Sequence, residues 1–414
     1  MMNNQTDPSL GVNVVGAVTG EYGLGEATRG TLRSMEAAGV PFAVRKVEVG
    51  WHRHMDNTYS DFIVDKYPYP INLVHTNPDQ GLYNTLGPEY FDGRYNIGYW
   101  SWELPTLHPA WEYAFDYFDE IWTLSSFTAE AISTISPIPV VKVMPSIVMP
   151  KPTVNRDDLK LPKDKFIFLF MFDFHSTIAR KNPYATIKAF KQAFAKSDRE
   201  NVLLIVKFSN AQYHSEGRDK LKAEAEGLPS IQFIDGHILK KELIGLFNSC
   251  DCYVSLHRAE GFGLTMAETM YYGKPVISTG YSSNIEFMNV GNSFLVKYKL
   301  VTITESEGPY FQGSIWAEPD VDHAAYLMRY VFDNYQEAQQ VGARAAKEIR
   351  TILSPETIGK RIRNRVEYIA QRIEDGKYPN RLAKLQKLAQ ETNGIKNQIK
   401  AWKKTAIQMQ KELN

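Results

Sequence analysis

Two glutamates flank a glycine-bearing loop and the start of a predicted helix, and they are the residues best suited to chemistry. Glu260 and Glu268 are eight positions apart, with Gly261 and Gly263 between them. Because a carboxylate accepts two hydrogen bonds from neighbouring hydroxyl groups, one glutamate suits a ribose and the other suits a second sugar. The pair therefore predicts a nucleotide-sugar site. The alternative interpretation is that Glu260 caps the helix and Glu268 is a solvated helix residue.

The elements around these glutamates form a β-α-β unit that could hold a phosphate. The pattern predicts a strand at 252–256, a helix at 264–272 that Gly273 ends, and a second strand at 275–278. The unpaired N–H groups of residues 262–265 then lie at a helix N-terminus, where the helix dipole favours an anion. Besides the two glutamates, the residues predicted to contact the donor here are Gly261, Phe262, Gly263, Leu264 and Thr265.

The sequence resembles the retaining glycosyltransferases of family 4, the group 1 enzymes of bacterial polysaccharide type, in two stretches. These are Glu260-Gly-Phe-Gly-Leu-Thr-Met-Ala-Glu268 and Tyr272-Gly-Lys-Pro-Val-Ile-Ser278. The resemblance covers roughly residues 11–370. It implies the GT-B fold and the transfer of a hexose from a nucleotide-diphospho-sugar, with retention of configuration, to a glycan or lipid-linked acceptor in cell-surface polysaccharide synthesis. In that interpretation Glu260 is catalytic and Glu268 binds the donor.

A basic pair follows the strand predicted at 166–172. Arg180 and Lys181 suit a diphosphate leaving group, which gathers negative charge as the glycosidic bond breaks. The resemblance implies that an arginine and a lysine of this loop hold the diphosphate, and Lys181 matches the lysine. His175 stands at the arginine's usual place, so Arg180 or Arg258 is expected to substitute. The alternative is an exposed basic pair on a helix surface.

The first strand is predicted at 11–18, and a glycine-rich loop follows it. Gly23 and Gly25 precede a helix predicted at 26–38. The resemblance implies that this loop faces the cleft between two lobes, so these glycines are expected to meet the donor diphosphate or an acceptor phosphate. Two alternatives are a tight structural turn and, with Glu48 as the ribose-binding acid, an NAD-dependent enzyme.

The acceptor side is predicted from two strand ends in the N-terminal half. His75 ends a strand at 71–75 and is either a ligand contact or a structural histidine. Trp102 could stack on a sugar ring, and Glu103 could orient the acceptor or assist as a base. Members of the resembled family often carry a histidine near this point, where this chain has Ser101, Trp102 and Glu103.

Neither a metal nor a cofactor is expected beyond the nucleotide-sugar itself. Asp320 and Asp322 form a D-x-D, but they follow Pro319 and begin a predicted helix, which indicates a helix cap. In the implied mechanism, cations and backbone amides stabilise the leaving group in the way a metal does elsewhere.

The 414 residues carry 47 basic and 47 acidic side chains, a formal charge of zero. That balance gives no overall case for nucleic acid, and the length suits two lobes. Cys250 and Cys252, the only cysteines, indicate buried thiols in a reducing compartment. The start lacks a secretory signal and the longest apolar run, 166–172, is too short to span a membrane, so we expect a cytoplasmic protein, peripheral at most to a membrane.

The fold class expected is α/β, with two doubly wound Rossmann-like lobes facing a cleft. Residues 1–155 form the acceptor lobe, residues 156–350 the donor lobe, and residues 351–377 a helix that returns to the N-terminal lobe. Residues 378–414 form a basic amphipathic tail helix. The alternatives to an enzyme of this fold are a non-catalytic scaffold that binds sugar nucleotides and the NAD-dependent enzyme.

The tail carries apolar residues at alternating spacings of three and four. This pattern predicts a coiled-coil seam that joins a second subunit or a partner helix. Eight lysines and arginines against two glutamates make an anionic membrane surface the rival partner. A further alternative is that the tail helix packs on its own lobe. The seam consists of Leu385, Leu388, Thr392, Ile395, Ile399, Trp402, Ala406, Met409 and Leu413.

Overall fold

Two six-stranded parallel sheets make up the two lobes. The computed structural model describes residues 10–48, 52–80, 86–195 and 198–376. The predicted tail, from residue 378 onward, lies outside the described residues. The α/β fold with two Rossmann-like lobes is confirmed.

The sheet of the N-terminal lobe has the order β2-β1-β3-β4-β5-β6, with every neighbouring pair parallel. Such an order reverses direction between β1 and β3, and the crevice at that switch point is where ligands bind in open α/β sheets. The strands are β1 (Val12–Gly16), β2 (Phe42–Lys46), β3 (Ile71–His75), β4 (Tyr95–Trp100), β5 (Glu120–Thr123) and β6 (Val140–Lys142).

The sheet of the C-terminal lobe has the order β12-β11-β10-β7-β8-β9, so its switch point lies between β7 and β10. Strand β7 is apolar along nearly its whole length because helices cover both faces of a parallel sheet. The strands are β7 (Phe166–Asp173), β8 (Val202–Ser209), β9 (Ile231–Asp235), β10 (Cys252–Ser255), β11 (Val276–Thr279) and β12 (Phe294–Val296). An antiparallel hairpin, β13 (Tyr298–Thr302) and β14 (Ile315–Pro319), follows.

The helices connect the strands and cover the sheets. Those of the N-terminal lobe are α1 (Gly23–Ala37), α2 (Pro88–Phe91) and α3 (Ser126–Ser133). Those of the C-terminal lobe are α4 (Ile178–Lys181), α5 (Pro183–Ala193), α6 (Ser215–Ala223), α7 (Lys240–Ser249), α8 (Leu264–Tyr271), α9 (Val321–Asp333) and α10 (Tyr335–Ile352). The last described helix is α11 (Pro355–Glu374).

Helix α11 packs on the N-terminal lobe although it follows the C-terminal lobe in sequence. Arg363 Nη1 donates to the carbonyl oxygen of Ala38, just past the end of α1, at 2.8 Å. Arg365 forms an ion pair with Glu120, a fully buried carboxylate on β5. The chain therefore crosses back from the C-terminal lobe to the N-terminal lobe. It contacts that lobe where β5 begins, away from the C-terminal ends of the strands.

The predicted β-α-β unit is confirmed, but the predicted boundary of α1 is wrong. Helix α1 begins at Gly23, so Gly23 and Gly25 belong to its first turn instead of the loop before it. A Cβ at Gly25 would lie 2.2 Å from the carbonyl oxygen of Gly20, which is why only glycine fits this close approach.

Both cysteines are free and fully buried, as predicted. Burial raises the pKa of Cys250 to about 12, which keeps the thiol protonated and inert. Among the described residues, no helix is both long enough and apolar enough to cross a membrane.

Candidate active site

One cavity of about 430 Å³ lies between the lobes, at the C-terminal ends of the central strands of both sheets. That volume falls within the range of roughly 300–1,000 Å³ that small-molecule sites occupy. Most of the residues predicted from the sequence line it. They are Gly23, Trp102, Glu103, His175, Arg180, Lys181, Glu260, Gly261, Phe262, Leu264, Thr265 and Glu268.

Glu260 is a buried carboxylate held by two cations. Lys181 Nζ lies 2.5 Å from Glu260 Oε1, and Arg180 Nη1 lies 3.5 Å from Oε2. Burial alone would raise the pKa of Glu260, but Lys181 and Arg180 bring it down to about 2. Glu260 is therefore ionised at neutral pH and engaged with the basic pair, so it does not cap the helix.

The loop that carries Glu260 is fixed by a strained residue. The backbone N–H of Glu260 donates to Ser282 Oγ at 2.8 Å. Ser282 has a φ of 69°, in the left-handed region that a serine rarely adopts. Strain of this kind persists where the surroundings impose it, and it is common at active sites.

Arg180 links the two lobes. Its Nη1 donates to the carbonyl oxygen of Ala259 at 2.9 Å, and its Nη2 lies 3.8 Å from Glu103 Oε1 of the N-terminal lobe. The Arg180 side chain is only 5% exposed, so the alternative of a solvated basic pair is wrong. Lys181 is also well covered, and burial lowers the pKa of its ammonium group.

Tyr310, from the turn between β13 and β14, completes this cluster. Its hydroxyl donates to Glu103 Oε2 at 3.2 Å, and the Arg180 guanidinium lies 5.6 Å from its ring centre. The ring also packs near Trp102, at 5.9 Å between centres. The hairpin of the C-terminal lobe thus closes the cavity against Glu103 and Trp102 of the N-terminal lobe.

The start of α8 has the geometry predicted for an anion site. Gly263 is its N-cap, with a φ of 96° and no side-chain cap for the first N–H groups. A Cβ at Gly263 would lie 2.6 Å from Met266 Cε, so a larger residue would be both strained and crowded. Gly263 itself does not line the cavity, whereas Leu264 and Thr265 in the first turn of the helix do.

Glu268 faces the N-terminal lobe across the cavity. It is half-buried, and no side chain among the described residues forms a hydrogen bond or ion pair with it. Burial and the nearby Glu26 of α1 raise its pKa to about 8. Glu268 is therefore not a solvated helix residue, and its oxygens point to a space that a ligand could fill.

Besides Gly263, three predicted contacts are not in the cavity. His75 is fully buried, stacks on Tyr99 at 3.9 Å, and does not reach the cleft, so the structural interpretation was the right one for it. Arg258 pairs with Glu318 at 2.6 Å and donates to the Ala179 carbonyl oxygen, which turns it away from the cavity. Gly25 lies behind Gly23, against the loop that precedes α1.

Trp102 lines the cavity but is only 1% exposed. Its Nε1 donates to the Thr106 carbonyl oxygen at 2.8 Å, and its ring contacts Trp111 edge to face at 4.9 Å. The ring is therefore held in the aromatic core of the N-terminal lobe and offers little surface for stacking a sugar.

Sequence reasoning missed several cavity residues. Asp173 and Lys207 end or nearly end two adjacent strands, a position that predicts ligand contact in an α/β sheet. His52 stacks on Tyr22 at 3.9 Å and also lines the cavity. The residues around Tyr310 do not indicate a place in the cavity, because its contact with Glu103 joins positions far apart in the sequence.

Asp320 is a helix cap, as predicted, since its Oδ1 accepts the backbone N–H of His323 at 3.0 Å. In the ranges that the structure describes, no group of three histidine, cysteine, aspartate or glutamate side chains is placed to bind a metal.

Known proteins resemble this chain in two ways. Residues 153–348 match the family model of the group 1 glycosyl transferases. No curated protein sequence matches the chain. Solved structures do match its whole fold at low identity.

Three of these structures cover nearly the whole of both chains. Sucrose-phosphate synthase from Thermosynechococcus elongatus is 14% identical, with a TM-score of 0.63 over 87% of this chain and 99% of that one. HepE from Anabaena, solved with UDP and glucose, is 12% identical, with a TM-score of 0.61 over 87% of this chain and all of that one. A glycosyltransferase from Rickettsia africae is 14% identical, with a TM-score of 0.60 over 87% of this chain and 98% of that one. The chain thus has the GT-B fold, and its C-terminal lobe is a domain of the group 1 glycosyl transferases.

Proposed function

We propose that this chain is a retaining glycosyltransferase that moves a hexose from a nucleotide-diphospho-sugar to a glycan or lipid-linked acceptor. The observation that carries the proposal is the cluster in the cavity, where ionised Glu260 is held by Lys181 and Arg180 beside the uncapped start of α8. A diphosphate leaving group requires positive charge and N–H donors at one place, and this cluster supplies both.

The nucleotide-sugar donor would bind on the side of the cavity that the C-terminal lobe lines. The first N–H groups of α8 would donate to the diphosphate, and Glu268 would accept hydrogen bonds from the two ribose hydroxyls. A bound ribose would supply hydroxyl groups that donate hydrogen bonds to Glu268. These hydrogen bonds would favour the ionised form of the carboxyl group. Glu260 would then face the transferred sugar.

Transfer requires charge to move onto the leaving oxygen. Lys181 is placed to stabilise that charge, and Arg180 holds Glu260 and Glu103 in position for the sugar and the acceptor. In the proposed reaction, the acceptor hydroxyl arrives on the face from which the diphosphate leaves, and no metal or further cofactor is needed. Diphosphate release in the presence of EDTA tests whether a metal is needed.

The biological setting we propose is the synthesis of a cell-surface polysaccharide, in the cytoplasm or at the inner face of the membrane. The basic tail would anchor the enzyme there or join two subunits. HepE was solved with UDP and glucose, which makes UDP-glucose the first donor to test.

A panel of nucleotide-sugars tests the proposal. The purified protein is incubated with each donor, and release of the nucleoside diphosphate is measured, including slow hydrolysis without an acceptor. We expect release from one donor, and a loss of at least tenfold in Glu260→Gln. Glu226→Gln, at an exposed glutamate of the same lobe, is the matched control.

Two results point to the alternative functions. Tight nucleotide binding with no release from any donor would favour a non-catalytic scaffold. Fluorescence enhancement of NADH on binding, with no affinity for nucleotide-sugars, would favour the NAD-dependent enzyme.

A further inference from the structure

The cavity contains one positive charge that the predicted site does not use. Three lysine or arginine side chains line it among the described residues, namely Arg180, Lys181 and Lys207. The first two are ion-paired with Glu103 and Glu260. Because Arg180 and Lys181 each face a carboxylate already, a further cation would strengthen the attraction of the cavity for an incoming dianion.

Lys207 differs because it has no such partner. In the part of the chain that the structure describes, its ammonium group makes no hydrogen bond and no ion pair. The nearest acid acting on it is Asp173, whose Oδ2 already accepts hydrogen bonds from Ser209 Oγ at 3.0 Å and Asn210 Nδ2 at 2.7 Å. Asp173 Oδ1 accepts the backbone N–H of His175.

The Lys207 side chain is half-buried, and burial lowers the pKa of its amine. A charged group out of water is costly unless a partner of opposite charge compensates. Asp173 compensates the charge in part, without an ion pair, and an anion in the cavity would add to that compensation.

Lys207 lines the same cavity as Leu264 and Thr265 in the first turn of α8. Lys207 pairs with Met171 of β7 in the sheet register, across a strand spacing of about 4.8 Å. The carbonyl oxygen of Met171 lies 3.4 Å from Tyr253 Oη, and the same hydroxyl lies 2.9 Å from Thr265 Oγ1. Thr265 is in the first turn of α8, so Met171 and Tyr253 are the residues that separate the backbone of Lys207 from the N-terminus of that helix.

We propose that Lys207 is a second cation, besides Lys181, that binds the phosphate oxygens of the donor. The proposal rests on the proposed function, because it assigns a further residue to the same nucleotide site. Lys207 approaches from β8, the strand next to the one that leads to His175, and it is available without breaking the pair between Lys181 and Glu260.

Binding measurements on two variants test this role. Lys207→Gln removes the charge, and Lys207→Arg keeps it. Lys188→Gln, at an exposed lysine of α5 in the same lobe, is the matched control. For each protein, titration calorimetry gives the dissociation constants of a nucleoside and of its diphosphate, using whichever of UDP, GDP and ADP binds the wild type most tightly. Circular dichroism melting confirms that the variants are folded.

The charge predicts a selective effect. Lys207→Gln should weaken the diphosphate by about tenfold to hundredfold and leave the nucleoside unchanged, because a charged hydrogen bond to phosphate is lost. Lys207→Arg should recover most of the affinity, and the loss should shrink at high salt. An unchanged affinity for the diphosphate in Lys207→Gln would overturn the proposal.

An equal loss for the nucleoside and the diphosphate would also overturn it, since Lys207 would then contact the base or the ribose. A wild type that binds none of the three diphosphates would overturn both this proposal and the proposed function. If the wild type releases diphosphate from a nucleotide-sugar but Lys207→Gln binds the diphosphate as tightly as the wild type, only the role of Lys207 is overturned.

Discussion

Replacing Glu260 with glutamine should destabilise the protein in a way that depends on pH. The pKa of Glu260 is about 2, against an ordinary 4.5. Burial opposes ionisation, and the depression comes from Lys181 and Arg180. A depression of that size corresponds to about 3 kcal/mol of unfolding free energy at neutral pH. The carboxylate is only 9% exposed, so solvent screens this contribution little.

The sign of the pH dependence follows from the lowered pKa. The stabilisation by Glu260 is fully present above pH 4.5 and is lost as the pH falls towards 2, because the unfolded state takes up the proton first. A glutamine at position 260 does not titrate. The difference in stability between wild type and Glu260→Gln should therefore be greatest at pH 7 and should shrink below pH 4.5.

Urea unfolding followed by circular dichroism at pH 7, 5.5, 4.5 and 3.5 measures this difference. We expect a gap of about 3 kcal/mol at pH 7 that narrows by about 1.4 kcal/mol at pH 3.5. Glu226→Gln should match the wild type throughout. A gap that is the same at every pH, or no gap at all, would refute the argument that Glu260 is a buried carboxylate held by the basic pair.

Four further outcomes follow from the structure. Glu268→Gln should equal the wild type in stability at pH 4.5 and exceed it at pH 8.5. The raised pKa of Glu268, about 8, means that the wild type loses stability as the pH rises from 4.5 through 8, whereas a glutamine does not titrate. The same variant should weaken nucleotide binding by about 1.5–3 kcal/mol, measured by calorimetry. Tyr310→Phe should cost about 0.5–1.5 kcal/mol in urea unfolding by removing the hydrogen bond to Glu103, and it should lower kcat while nucleotide affinity stays the same. Diphosphate release should survive EDTA, and complete loss that magnesium restores would show that a metal is needed. Light scattering should find a larger assembly for the full chain than for one truncated after Gly376, and two monomers would exclude self-association through the tail.

The fold could be predicted because its signals are local. Strand β7 is apolar along nearly its whole length, and Gly273 ends α8 with a φ of 74°, so periodicity and glycine placement mark both elements. The same local reasoning placed Glu260 and Lys181 in one site, since each follows the C-terminal end of a central strand.

The errors arose where a neighbour distant in sequence decides the outcome. His75 is the last residue of a central strand, but Tyr99 and Thr31 enclose its ring in the core. Arg258 is two residues from Glu260, yet Glu318 on the hairpin draws it away from the cavity. Helix α1 begins earlier than expected because Gly25 tolerates the carbonyl oxygen of Gly20.

Glu103 and Tyr310 illustrate the same limit. Their hydrogen bond joins residues 207 positions apart, on different lobes. No pattern in the sequence around either residue indicates the other, since the contact depends on how the hairpin crosses the cleft. Lys207 is an intermediate case, because its place near a strand end is a signal but its missing partner is visible only in three dimensions.

The most direct test of the account is a proton NMR time course of the anomeric signal of the active nucleotide-sugar. The wild type should consume the donor, and the first sugar product should have the donor's anomeric configuration. Glu260→Gln should lose this turnover, while Glu226→Gln should keep it. An inverted first product, or a donor that binds and stays intact, would contradict the account.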